Sequence, residues 1–314
     1  MNQKALRTLI SLFLILTFSI TLFGCAGQDQ GQDQNQEQKP AAGNAAVEFK
    51  SEIKFYGSST LAPVMSQLST DFNEEFGTWD KVDSTFEAMD IAIYVSGGGS
   101  SAGVKSIIDG VSDFGMVSRE VKDEEKAKIA GYQEFRLGMD ALTISVNPNN
   151  KLTQITDSLT TEVIKKIFAG EYKTWNEVDS SLPNTEIVVV TRDIGGGAHE
   201  VFQKAIMGDA EVRADVIQAP SMGALVTKVM ENENAIGYAS YGMVNQNQGK
   251  IIPLKVDGVE PTSENILNGS YKVSRPLIVI KNGELLPSEK AFMDYVVSEK
   301  GMKVVEDMGF VPNK

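Results

Sequence analysis

Ile53-Lys54-Phe55-Tyr56-Gly57-Ser58-Ser59-Thr60-Leu61-Ala62-Pro63 reads as a short strand, a turn of small hydroxyl-bearing residues and the opening of a helix. The helix carries Leu61, Val64, Met65, Leu68, Phe72 and Phe76, the i, i+3, i+4, i+7 spacing of one apolar face. Pro63 falls in its first turn, where a missing N–H costs little. The same order recurs twice. Ile91-Ala92-Ile93-Tyr94-Val95 leads into Ser96-Gly97-Gly98-Gly99-Ser100-Ser101 and a helix with Val104, Ile107 and Ile108 on one face. Ile187-Val188-Val189-Val190-Thr191 leads into Arg192-Asp193-Ile194-Gly195-Gly196-Gly197 and a helix with Val201, Phe202, Ala205 and Ile206. Three buried strands, each feeding a turn and a helix, predict an α/β fold.

The turns have a chemistry of their own. The first N–H groups of a helix lack intrahelical partners, and the macrodipole adds about half a positive charge there. Glycine lets a ligand approach the backbone, and Ser or Thr adds hydroxyl donors. Taken singly, each unit is an ordinary capped helix. Three of the same kind predict one small anion held by three helix starts. Arg119, after Asp113-Phe114-Gly115-Met116-Val117-Ser118, and Arg192, heading the third turn, stand near enough in sequence to meet an oxyanion.

Composition narrows the field. The 314 residues hold one Cys and one His, which excludes an internal disulfide framework, Cys-rich metal centres and multi-histidine metal sites. No cofactor or metal is expected. With 29 Lys and Arg against 42 Asp and Glu, the net charge of −13 argues against a nucleic-acid partner.

The N-terminus stands apart. Lys4 and Arg7 precede an uncharged run from Thr8 to Phe23, the pattern of a secretory signal over residues 1–24. Leu22-Phe23-Gly24-Cys25 resembles a lipobox, which makes Cys25 the expected lipidation site, with palmitate among the acyl chains. Gln at every even position from 28 to 38 then marks a tether over 25–46, too polar to repay its ordering entropy. The folded part is therefore expected outside the cytoplasmic membrane and lipid-anchored to it. Removing the signal takes the charge to −15.

Two motifs come close to other functions. Gly99-Ser100-Ser101-Ala102-Gly103 fits G-x-S-x-G, so a serine hydrolase with Ser101 as nucleophile and His199 as base is a reading of another class. Against it, His199 lies in the opening turn of a helix, where the dipole disfavours an imidazolium. Gly98 to Gly103 has the spacing of a P-loop, but Val104 stands at the Lys position.

Gathered in order, these blocks resemble the phosphate-binding subunit of bacterial high-affinity phosphate ABC transporters. Gly57-Ser58-Ser59-Thr60-Leu61-Ala62-Pro63 is similar to that family's first turn, and Ser96 to Gly103 with Asp113-Phe114-Gly115 and Ser118-Arg119 to its second block. Ile167 to Trp175, Ala235-Ile236-Gly237-Tyr238 and Arg275-Pro276-Leu277 are similar to later blocks. The resemblance implies a type II periplasmic-binding-protein fold with two discontinuous lobes and a ligand cleft between them. It implies a monomeric solute-binding lipoprotein, not an enzyme, that passes inorganic phosphate to an ABC transporter permease. By match, Ser59, Thr60 and Leu61 would hold phosphate from the first turn. Ser100, Asp113, Ser118 and Arg119 would do so from the second block, and Arg192, Gly196, Gly197 and Ala198 from the third, with His199 as a further contact. Asp113 corresponds to a carboxylate that accepts the proton of phosphate, a device that rejects a fully deprotonated anion.

The third turn departs from the family's R-x-x-G-S-G-T, because Gly196 and Ala198 lack hydroxyls. That departure keeps a receptor for sulfate, molybdate or a phosphonate as the alternative. The chain is expected to cross between lobes near Asp140–Ile144 and to return near Tyr271–Arg275. Lobe one would then hold 47–142 and 273–314, and lobe two 143–272.

Overall fold

The computed structural model describes residues 49–194 and 196–313. The expected signal (1–24), Cys25, the tether (25–46) and Gly195 lie outside the described residues. The elements that matter run β1 (Glu52–Gly57), α1 (Ala62–Phe76), β2 (Ala92–Gly97), α2 (Ser100–Ile108), β3 (Phe114–Val117), β4 (Tyr132–Val146), α3 (Thr161–Ala169), β5 (Val188–Arg192), α4 (Gly197–Phe202), β6 (Ile217–Ala219), α5 (Met222–Glu231), β7 (Ala235–Ser240) and β8 (Ser274–Asn282).

The sheet order β2-β1-β3-β8-β4-β7-β5-β6 explains how the site is built. β1 runs parallel to β2 and β3, and β5 parallel to β6 and β7, so each group presents its carboxyl ends together. That is where open α/β sheets bind ligands. β4 is the shared strand. Its first half pairs with β8, from Tyr132↔Asn282 to Ala141↔Ser274, and its second half pairs with β7 from Leu142 to Val146.

Two main hydrophobic cores flank this strand. One packs Ile53, Phe55, Leu68, Phe72, Phe114 and Phe292; the other packs Ile144, Phe168, Val190, Phe202, Leu225 and Tyr238. Chain membership changes from the first to the second between Leu137 and Ala141, and back between Val273 and Leu277.

All three strand–turn–helix units are present, with two differences. β2 is the sheet edge, so Tyr94 is 56% exposed and the strand is not buried. α2 ends at Ile108, which turns outward while Val104 and Ile107 stay buried. Close packing dictates two of the glycines. Gly57 has φ +139°, and a Cβ there would lie 2.3 Å from the Met116 carbonyl oxygen; one on Gly103 would lie 2.6 Å from the same oxygen.

Candidate functional site

The first turn is organised by Ser58. Its buried hydroxyl accepts the N–H groups of Thr60 (3.2 Å) and Leu61 (3.3 Å) and donates to Ser118 Oγ at 2.9 Å. The Ser118 N–H donates in turn to Ser100 Oγ at 3.0 Å, which ties the start of α2 to the end of β3. The third turn closes over this group. A Cβ on Gly197 would fall 2.7 Å from both Cβ and Oγ of Ser100, so only glycine permits the approach.

Ser58, Ser59, Thr60, Gly99, Ser100, Ser118, Arg192, Gly197 and Ala198 together line one small, tightly closed cavity where the three turns meet. Two of the lining hydroxyls accept from arginines. Ser59 Oγ accepts from Arg192 Nη1 (3.0 Å) and from the N–H of Met222 (3.3 Å), the first residue of α5. Thr60 Oγ1 accepts from Arg275 Nη2 at 2.9 Å. A hydroxyl has one proton and two lone pairs. Each oxygen receives a protein donor, and neither hydroxyl has an acceptor for its own proton among the described residues. The arginines carry little free charge, since Arg192 pairs with Asp193 and Arg275 with Asp140. The cavity is thus lined by oriented dipoles more than by net charge.

Of the residues expected from the sequence, Ser59, Thr60, Ser100, Ser118, Arg192, Gly197 and Ala198 come together. Five do not line the cavity. Leu61 is buried in the core, its N–H turned to Ser58. Gly196 and His199 face a neighbouring groove. Arg119 is a strut: Nη1 and Nη2 each donate to Glu125 at 2.7 Å, and Nε lies 3.2 Å from Glu200 on α4.

Asp113 is the plain correction. It stands level with Lys54, whose N–H donates to Oδ2 at 2.8 Å, and it pairs with the Lys50 ammonium. Parallel pairing of Phe55 with Phe114 sets Asp113 at the amino end of β3, level with Lys54 and roughly 10 Å of strand from Gly57. A carboxylate there cannot accept a proton from an anion at the turns. Among the described residues lining the cavity, none carries a carboxylate.

The hydrolase geometry is not assembled. Ser101 Oγ accepts a long bond from Arg119 Nη2 (3.4 Å), while His199 Nδ1 sits 3.2 Å from the Tyr238 hydroxyl. Burial raises the Tyr238 phenol, so it stays protonated; its oxygen accepts the Arg192 N–H at 2.9 Å, and the hydroxyl shares a second hydrogen bond with His199 Nδ1. Burial also holds the His199 imidazole below its ordinary 6.5, against the opposing pull of Asp193. A histidine with a lowered folded pKa takes up protons more readily when unfolded, so stability falls as pH drops below about 6.5. In thermal melts from pH 7.5 to 5, His199→Gln should lose less stability than the parent. Parallel curves would assign the acid sensitivity elsewhere.

Sequence reasoning missed Ser58 and Gly99 on the cavity wall, and Asp140, Met222, Tyr238 and Arg275 behind it. Ser58 belongs to the turn already singled out. Met222 follows Ser221, whose hydroxyl caps α5 through the Ala224 N–H, so a fourth helix start was legible there.

A family model described as a PBP superfamily domain matches residues 27–300. The phosphate-binding protein PstS of Staphylococcus saprophyticus is 34% identical over 274 residues, 83% of this chain and 80% of that protein. PstS of Staphylococcus aureus is 31% identical over 281 residues, 86% of this chain and 80% of that one. Among solved structures, a phosphate ABC transporter substrate-binding protein with bound phosphate from Clostridium perfringens superposes with a TM-score of 0.71. It is 33% identical and covers 84% of this chain and all of its own. An ABC-type phosphate transport receptor from Vibrio cholerae gives 0.63 at 26% identity, covering 83% of this chain and all of its own.

Proposed function

Because this chain belongs to the PBP superfamily and, within it, to the PstS phosphate-binding proteins, we propose that it captures inorganic phosphate in the cavity at the three turns. The phosphate is passed to an ABC transporter permease; the protein is an extracytoplasmic solute-binding protein, and no catalytic step is assigned to it. One observation carries the ligand assignment to this cavity. The Ser59 and Thr60 hydroxyls each receive an arginine N–H and so turn their own protons inward, which suits an acceptor-rich oxyanion.

We read the two cores as two lobes, with β4 and β8 as the crossing strands. The contacts Arg192–Ser59, Met222–Ser59 and Arg119–Glu200 join residues of the two, so phosphate binding favours a closed arrangement. The N-terminal sequence supports a lipoprotein that is acylated at Cys25 and held to the cell membrane through the 25–46 tether. A single acyl chain binds membranes only marginally, so at least two are needed. We read the protein as a monomer, with the cavity built between its own two lobes.

Calorimetric titration of the purified protein with phosphate tests the assignment. A Kd tighter than about 1 µM, or roughly −8 kcal/mol, is expected. Absence of heat with phosphate, together with heat from another oxyanion, would overturn it.

A further inference from the structure

We infer that Arg275, held by Asp140, is a positioning residue of the phosphate site that acts through the hydroxyl of Thr60. The inference rests on the phosphate reading above and adds a part to it. Arg275 and Asp140 are register partners on β8 and β4, on the stretch where the chain passes between the two cores. Both are fully buried. Arg275 Nε and Nη2 reach Asp140 Oδ2 at 3.0 and 2.7 Å, and the other carboxylate oxygen accepts from Ser240 Oγ at 3.0 Å. The guanidinium is therefore locked from behind. Its Nη2 then donates forward to Thr60 Oγ1 at 2.9 Å, and its Nη1 has no hydrogen-bond partner among the described residues.

A buried ion pair is costly to desolvate and adds little stability over an apolar pair of the same shape. Its geometry here serves something else. A threonine hydroxyl rotates freely and, left alone, turns its proton to whichever acceptor is nearest. With the Arg275 N–H on its oxygen, the Thr60 proton is directed away from the guanidinium and toward the cavity. The donor is then oriented before the anion arrives, so binding orders one rotor less. The arrangement parallels Arg192 on Ser59, but its anchor lies on the crossing strands.

A double-mutant cycle on the full chain separates this role from simple packing. Phosphate Kd by calorimetry and ligand-free melting temperature are measured for the parent, Arg275→Lys, Thr60→Val and the double variant. Lysine keeps the charge and one bond to Asp140 but lacks the fork that also reaches Thr60. Each single variant should weaken phosphate ten- to a hundredfold, and the double variant no more than the worse single, while Thr60→Ser restores near-parental affinity. Additive losses, or an unchanged Kd in Arg275→Lys, overturn the inference. A parent that binds no phosphate overturns the functional reading instead. If the lysine variant does not fold, nitrogen-detected NMR of the Arg275 guanidinium in the parent decides. Slower exchange of its Nη protons on adding phosphate is expected, and unchanged exchange refutes the link.

Discussion

Gly197→Ala should weaken phosphate binding by roughly ten- to a hundredfold while leaving the ligand-free protein as stable as the parent, or slightly more so. The added methyl falls 2.7 Å from Ser100 Cβ and Oγ, a contact made only when the third turn meets the second. Overpacking of this kind costs about 1–3 kcal/mol, which is the stated loss in affinity. Away from that contact the same substitution is benign. Gly197 opens α4 with no positive φ, and alanine is the better helix former by up to about 1 kcal/mol. Opposite signs on stability and affinity are the signature of a residue used only in the closed form. Calorimetry and thermal melts without ligand measure the two quantities. Small-angle scattering with saturating phosphate should show the variant less compact than the parent. Equal losses in stability and affinity would mean that the contact persists in the open form and that closure does not depend on it.

What the sequence disclosed and what it hid follow from range and register. The three turns were legible because glycine and hydroxyl residues at a strand end, followed by an apolar stripe, are local signals. Asp113 misled because adjacency in a motif says nothing about which end of a strand a residue occupies. Ser118, five residues on, reaches the carboxyl ends; Asp113 sits at the amino end beside Lys54. Arg119 misled because it lies past the end of the strand, where the motif does not fix a side chain's direction. The chain bends just past β3, so with Ser118 facing the cavity its neighbour turns to Glu125 and Glu200. The start of α5 was legible in the sequence, but the pairings behind the cavity had no local signal. Arg275 meets Thr60 across 215 positions, and Met222 meets Ser59 across 163. Only the sheet order brings them together.

The absence of a carboxylate among the described cavity-lining residues leads to the second large effect, on selectivity. Phosphate near neutral pH carries a proton that sulfate lacks. A carboxylate facing the anion would reject sulfate, because two acceptors would be opposed in a dry site at a cost of several kcal/mol. Here the groups that face inward are hydroxyls and N–H donors. A serine hydroxyl rotates and is both donor and acceptor, so Ser100 and Ser118, whose oxygens lie 3.3 Å apart, can accept the phosphate proton or donate to sulfate instead. Sulfate should therefore displace phosphate competitively, with an inhibition constant within about a hundredfold of the phosphate Kd, or roughly 2.7 kcal/mol. Asp113→Asn is the companion measurement. It breaks the pairing with Lys50, a partly exposed ion pair of about 1 kcal/mol or less, and should lower stability slightly without changing either anion's affinity. If sulfate is excluded by a thousandfold or more and Asp113→Asn abolishes that exclusion, the carboxylate must reach the anion in a form of the protein other than this one. If the exclusion survives the substitution, the serine pair itself discriminates, and Ser118→Ala is then the variant that should bring sulfate in.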